Sequence, residues 1–296
     1  MALLRELFQQ QQAGLTVYSP DCTQSRLWGN LDHTIQAATG FQVVRRQWLN
    51  HEINSILRFY RGPEDEPPPE EQDPVEAFRK YESVPAEILQ SGHLMVKLLM
   101  LGPSLLTIWR GENVIPTLLK VKGQTQPAEA AAGTIRGSFW CDNGVCNLLH
   151  TSDDQAEAER ELAAVKLEAW LDEEAGQAPL IAPHPAPQAQ VAHSGIVSVA
   201  EVVNRVLLVM NAEPSPLHLP ASGSARETNQ RLSQHLRAIA AHHSQVAPFI
   251  EAFLAGDLVT VTNLLKSLPV TRWEHFVIQC GTANREHWQA IEASSR

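Results

Sequence analysis

Positive charge, paired cysteines and long apolar runs are all scarce in this chain, and each scarcity removes a class of function. Lys and Arg number 23 against 33 Asp and Glu, a formal charge of −10, whereas a general nucleic-acid binder presents a basic face to phosphates. Four cysteines are present, Cys22, Cys141, Cys146 and Cys280. None forms a CxxC pair, and the Cys141/Cys146 spacing is poor for zinc. The expectation is four buried free thiols in a reducing compartment. No apolar run approaches the roughly 18 to 20 residues needed to cross a bilayer, and Met1 to Glu6 shows no signal-peptide pattern. These absences predict a cytoplasmic protein that engages neither membrane nor nucleic acid.

What is present is an ordered series of periodic segments, with 296 residues to hold one large domain or two modest ones. Leu15 to Tyr18 reads as a strand, stopped by Ser19-Pro20-Asp21. Residues 24–39 carry a helical period closed by Gly40. Phe41 to Trp48 is a second strand, followed by a helix with Ile53, Ile56, Leu57 and Tyr60 on one face. Gly62 to Glu76 then packs seven carboxylates and five prolines together and reads as a solvated loop. Ala77 to Leu101 is largely helical, and Ser104 to Trp109 is an apolar run suited to a central strand. Asn113 to Val121 returns as helix with Pro116 in its first turn. After an irregular Gly123–Gly133 segment, a short strand ends on His150 and a helix runs to about Glu174. The kernel is βαββαβ, an α+β class, ferredoxin-like motif: an antiparallel four-stranded sheet with helices on one face.

The stretch Gly133 to Glu161 concentrates the chemistry. Its strand delivers His150 just ahead of a helix N-cap region, and Glu161 falls in the first turns of that helix. A carboxylate there can reach back to the ring, and a histidine nucleophile with an orienting carboxylate is one design for covalent catalysis. The competing reading is a hydrogen-bonded bystander at a strand end.

Several motifs, in register over residues 14–174, resemble the nucleoside diphosphate kinase family. Tyr18-Ser19-Pro20-Asp21 is similar to its first-strand motif of apolar residue, Lys, Pro, Asp. Met95-Val96-Lys97, Gly102-Pro103 and Trp109-Arg110-Gly111-Glu112-Asn113-Val114 resemble its LVKYMxSGPVVAMVWEGxNVV stretch. Gly123-Gln124-Thr125-Gln126-Pro127-Ala128 is similar to GxTxPA, and Gly133-Thr134-Ile135-Arg136-Gly137 reproduces GTIRG. Asn147-Leu148-Leu149-His150-Thr151-Ser152-Asp153 is similar to NxxHGSD. The resemblance implies ping-pong phosphoryl transfer from a nucleoside triphosphate to a nucleoside diphosphate, with Mg²⁺ carried on the nucleotide rather than by protein ligands, and a homo-oligomer. His150 would be the nucleophile, Glu161 its orienting carboxylate and Ser152 their support. Thr125, Arg136, Asn147, Tyr60 and Lys122 would contact the nucleotide.

Departures from the family pattern point to attenuated transfer, with an inactive nucleotide-binding scaffold as the alternative. The first-strand Lys is Ser19 here, a phosphate-binding Arg is Leu119, and the base-stacking Phe aligns with Ser91. The Gly after the nucleophile is Thr151, and the basic residue before Asn147 is Cys146. Lys122 is placed to compensate in part for the lost Arg.

Beyond this domain, residues 175–195 read as a Pro/Ala/Gln linker. Residues 196–296 show helical periodicity, with an apolar face of Val199, Val202, Val203, Val206, Leu207 and Met210. The last helix carries Trp273, Phe276, Val277 and Trp288. This small all-α unit resembles no family and reads as a module for a protein partner or self-association. His235, His242 and His243 lie on one of its helices, at spacings that favour a surface cluster over a metal site.

Overall fold

The computed structural model describes residues 2–60, 73–139, 141, 143–183, 199–210 and 225–294. Most of the acidic insertion, the linker beyond 183 and the second linker at 214–223 lie outside the described residues. In chain order the first elements are α1 (Leu4–Gln9), β1 (Ala13–Tyr18), α2 (Pro20–Gln24), α3 (Trp28–Thr39), β2 (Gln42–Leu49) and α4 (Ile53–Phe59). Next come α5 (Pro74–Glu82), α6 (Ser91–Met100), β3 (Ser104–Arg110), α7 (Val114–Lys122), α8 (Ile135–Ser138), β4 (Leu149–Thr151) and α9 (Gln155–Ala164). The C-terminal helices are α10 (Val199–Val209), α11 (Ala225–His242), α12 (Ala247–Ala255), α13 (Leu258–Lys266), α14 (Arg272–Ala283) and α15 (Arg285–Ser294).

Two compact units interleave along the chain. The first comprises Met1–Ser83, Met95–Lys122 and Leu148–His184; the second comprises Val84–Leu94, Gly123–Asn147 and Pro185–Arg296.

The first unit is built on one sheet of order β2-β3-β1-β4, with every neighbouring pair antiparallel. That order is the ferredoxin-like arrangement expected from the βαββαβ kernel. Every residue of β1 is buried, because β1 is a central strand covered on both faces. Ala13, Leu15 and Val17 join a core with Leu4, Leu7 and Phe8 of α1, Phe59 of α4, and Ala158 and Leu162 of α9. On the opposite face, Gly14 lies so close to Val114 of α7 that an added Cβ would sit 2.9 Å from its side chain. The Trp109 indole donates to Thr16 Oγ1 at 3.0 Å, and the Tyr18 hydroxyl donates to Asp32 of α3 at 2.7 Å. Helices therefore cover both faces rather than one: α3 and α7 form the expected layer, and α1, α4 and α9 add a second. The amphipathic Leu4-Leu7-Phe8 face makes that second layer hydrophobic.

Some helix ends also differ from the sequence reading. The insertion's last residues are helical, because Asp73 caps α5 by accepting from Val75 N and Glu76 N at 3.0 Å and Pro74 fits the first helical position. The helix after His150 stops at Ala164 rather than near Glu174. Lys166 adopts a left-handed φ of 62°, while Leu167 N bonds Leu162 O and Lys166 N bonds Ala163 O. This is a Schellman stop made without glycine, followed by a 3₁₀ turn at Glu168–Asp172.

In the second unit, α10 to α15 enclose a core that includes Val203, Leu207, Leu236, Phe249, Phe253, Val261, Phe276 and Trp288. Its 3₁₀ turns at Ala86–Ile88 and Pro127–Glu129 belong to the same body: α13 packs on the first, and α11 and α15 pack on the second. The expected last helix is two helices, α14 and α15, parted at Asn284, whose side-chain amide donates to Cys280 O at 2.9 Å. Arg285 turns inward there and donates to Asn229 at 2.6 Å and Ser233 at 3.0 Å. His242 is exposed but His235 is half-buried, so the predicted surface cluster is only partly at the surface. All four cysteines are free and buried. No helix among the described residues is long and apolar enough to cross a membrane.

Candidate active site around His150

The site in the first unit begins with a strained residue. Leu148, immediately before β4, has a φ of 77°, a region that side chains larger than glycine rarely adopt. Two hydrogen bonds hold it there. Its N–H donates to the buried Asp21 carboxylate at 2.9 Å, and its carbonyl accepts from Ser19 N at 3.1 Å. The Ser19-Pro20-Asp21 turn at the end of β1 thus anchors the start of β4. Ser19 Oγ also donates to Asp21 at 2.5 Å, and burial raises the Asp21 carboxyl above the usual carboxylate range while these hydrogen bonds oppose that rise.

β4 spans three residues and pairs with β1 so that Val17 faces His150. His150 sits in the middle of the strand, one residue short of its end. Asp154 then caps α9, accepting from Glu157 N at 2.8 Å, and Glu161 lies on the second turn with its side chain buried. His150 Nε2 lies 2.6 Å from Glu161 Oε1, and Ser152 Oγ donates to Glu161 Oε2, also at 2.6 Å. A carboxylate accepts a hydrogen bond from a ring N–H, and in the tautomer that suits this contact Nδ1 carries the lone pair. The rings of Phe59 and Tyr60 meet the imidazole edge-on, at centroid distances of 5.2 and 5.7 Å. The His150 side chain remains 23% exposed while that of Glu161 is 1% exposed. The imidazole is thus partly open to solvent while its carboxylate partner is closed off.

The structure therefore brings His150, Glu161, Ser152 and Tyr60 together. Lys122, the remaining predicted contact in this unit, is buried at the last residue of α7. Thr125, Arg136 and Asn147 belong to the second unit, where they form a cluster of their own. Asn147 Nδ2 donates to Thr125 O at 3.1 Å and Gly144 O at 2.9 Å. Arg136 is buried; its Nε donates to Asn147 O at 3.1 Å, and its Nη1 to Gly123 O at 3.4 Å and Gln124 O at 3.2 Å. These bonds shape the 123–147 loop. At the positions of departure, Ser19 is folded onto Asp21, Leu119 is half-buried and Ser91 is exposed at the start of α6.

The sequence reading missed Asp21 as an anchor of β4, and Phe59 and Arg160 as neighbours of the site. Phe59 looks like an ordinary apolar helix residue, and Arg160 an ordinary charge on a solvent face. Only the packing of α4 against α9 reveals either.

Comparison with known proteins gives the same assignment. The family model for nucleoside diphosphate kinase matches residues 91–168. Among relatives, nucleoside diphosphate kinase B of Flaveria bidentis is 38% identical over 91 residues, 31% of this chain and 60% of that protein. The nucleoside diphosphate kinase of Methanoregula boonei is 48% identical over 61 residues, 21% of this chain and 40% of that one. The chain thus spans less than two thirds of the length of these relatives. Similar solved structures include an NDP kinase from Pyrobaculum aerophilum, with 24% identity, 55% of this chain and 99% of that chain covered, and a TM-score of 0.41. The apo nucleoside diphosphate kinase from Encephalitozoon cuniculi aligns at 19% identity over 57% of this chain and 95% of that one, with a TM-score of 0.40. The ferredoxin-like sheet, the GTIRG segment and a histidine held by a helix carboxylate stand in the order that the resemblance predicts, and residues 91–168 are similar to the nucleoside diphosphate kinase family.

Proposed function

We propose that this protein transfers a phosphoryl group from a nucleoside triphosphate to a nucleoside diphosphate through phospho-His150, at an attenuated rate. The observation that carries the reading is the 2.6 Å contact between His150 Nε2 and the buried Glu161 carboxylate. Nδ1 attacks the terminal phosphorus, the N–P bond forms as the P–O bond to the leaving diphosphate breaks, and the electron pair departs on that oxygen. The phosphorylated ring then carries positive charge, and Glu161, itself steadied by Ser152, lies where it stabilises that charge. The second half-reaction reverses these steps onto an acceptor diphosphate. Mg²⁺ would be carried on the nucleotide phosphates, where it would neutralise their charge.

Attenuation rests on Ser19, Leu119 and Ser91. Two cationic contacts are absent from positions where the family places them, and loss of one such donor costs on the order of 10² to 10³ in turnover. Thr125, Arg136, Asn147, Tyr60 and Lys122 remain the proposed nucleotide contacts. Arg136 must exchange some of its loop carbonyls for phosphate oxygens to serve in that way. That exchange is a specific reason to keep a second reading, a nucleotide-binding scaffold without turnover. In either case residues 14–174 act as the nucleotide domain. Residues 196–296 are a module for a protein partner or self-association, and the protein works as a homo-oligomer in the cytoplasm.

Incubation of the full chain with γ-labelled ATP decides between the readings. An acid-labile, base-stable label on wild type and none on His150→Ala is the expected result. Equal labelling of both, or of neither, refutes the transfer.

A further inference from the structure

A site on the α4–α9 contact carries a role that neither the motifs nor the comparisons assign. Arg160 immediately precedes Glu161 on α9, and its side chain is 18% exposed. Its Nη1 donates to two backbone carbonyls at the end of α4, Arg58 O at 2.8 Å and Phe59 O at 3.0 Å, while Nη2 donates to Glu157 at 2.7 Å. The last carbonyls of a helix lack partners within it and carry the negative end of its dipole, so a guanidinium is a fitting cap. The capped residues are not arbitrary: Phe59 and the next residue, Tyr60, are the two rings that meet the His150 imidazole edge-on.

We infer that Arg160 is a positioning residue for the His150 nucleophile, acting through the aromatic walls it holds in place. Glu161 fixes one nitrogen of the ring but leaves rotation about that hydrogen bond. The rings of Phe59 and Tyr60, packed crosswise against the imidazole, remove this freedom, and their place depends on where α4 ends. Successive residues of one helix thus set the two coordinates of the imidazole: Glu161 its proton and Arg160 its plane. The inference rests on the proposed role of His150 for its functional meaning, but its geometry is testable without any phosphoryl transfer.

The test compares wild type, Arg160→Met and Arg160→Lys in the full chain by histidine ring NMR, with the His150 signals assigned by their loss in His150→Gln. Ring currents from Phe59 and Tyr60 displace these signals in wild type. Arg160→Met, of similar reach but without donors, is expected to move them toward the values of an exposed histidine and to slow labelling by γ-labelled ATP about 10- to 100-fold. Arg160→Lys keeps the charge and one donor group and is expected to lie between the two. Should Arg160→Met fail to fold, the Lys variant decides alone, because its signals must still move from the wild-type positions. Unchanged His150 signals in the folded variants overturn the inference. Wild type that takes no label refutes the proposed transfer and leaves the ring measurement standing.

Discussion

Glu161 and Arg285 are both charged side chains buried to within 2% of complete, and both make side-chain hydrogen bonds to uncharged partners or an imidazole. They do opposite things. Arg285 donates to Asn229 and Ser233, which are themselves buried, and its guanidinium lies 5.6 Å from the centre of the Phe253 ring. These contacts join α11, α12 and α15 inside the core. Glu161 has one inward partner, Ser152, and one that reaches the surface, His150. A buried charge whose partners are all buried is a staple. One whose partner is exposed conveys its field to solvent, where chemistry can occur.

That contrast can be broken by mutation, and the largest effect is expected at its active side. Glu161→Ala removes the acceptor of both Ser152 and Nε2–H; phosphohistidine formation is expected to fall by about 10² to 10³, measured by labelling rate. Restoring the missing cations in Ser19→Lys with Leu119→Arg is expected to raise turnover by about 10-fold or more, read as nucleoside triphosphate formed. No gain would leave the lost charges without a part in the attenuation. Arg285→Ala removes the donors to Asn229 and Ser233 and is expected to cost about 1 to 3 kcal/mol of stability without changing the labelling rate, as shown by denaturant unfolding alongside the label assay. A loss of labelling in the folded variant would erase the distinction between staple and site.

A smaller effect lies in the pH dependence of stability. His51, whose Nε2 is 2.9 Å from the buried Ser104 hydroxyl, has its pKa lowered by burial from 6.5 to about 4. The unfolded chain therefore binds this proton first on acidification. Stability is fully present above about pH 6.5 and is lost as pH falls toward 4, by about 2 kcal/mol once the partial exposure of the ring is allowed for. Urea unfolding of wild type and His51→Gln between pH 7 and 4 should show this slope only in wild type. Smallest is the capping box of α14, where Thr271 and Glu274 bond each other's backbone N–H. Thr271→Ala is expected to cost about 1 kcal/mol, with labelling intact.

Much of this was legible along the chain because it depends on short-range chemistry. The strands at 13–18, 42–49 and 104–110 show as apolar runs between breakers. Gly40 closes α3 with a left-handed φ of 73°, which glycine tolerates and which a sequence therefore advertises. The His150–Glu161 pair is readable because a turn and two helical turns set its reach. The left-handed residues that are not glycine, Lys166 and Leu148, left no such mark: Lys166 is held by the Schellman bonds of its own helix end and Leu148 by Asp21 and Ser19. The end of the helix after His150 was misplaced for that reason.

By itself, then, the sequence determined the order of elements, the ferredoxin-like class, the family motifs and the pairing of His150 with Glu161. Tertiary structure alone decided that the sheet is covered on both faces, that Asp21 and Ser19 anchor β4, that Phe59 and Tyr60 flank the imidazole, and that Arg160 caps the end of α4. The reason is one of range. Propensity, capping and motif spacing act over a few residues, whereas the carbonyls that Arg160 caps and the carboxylate that holds Leu148 lie more than 100 residues away in the chain, and only folding brings them within a hydrogen bond.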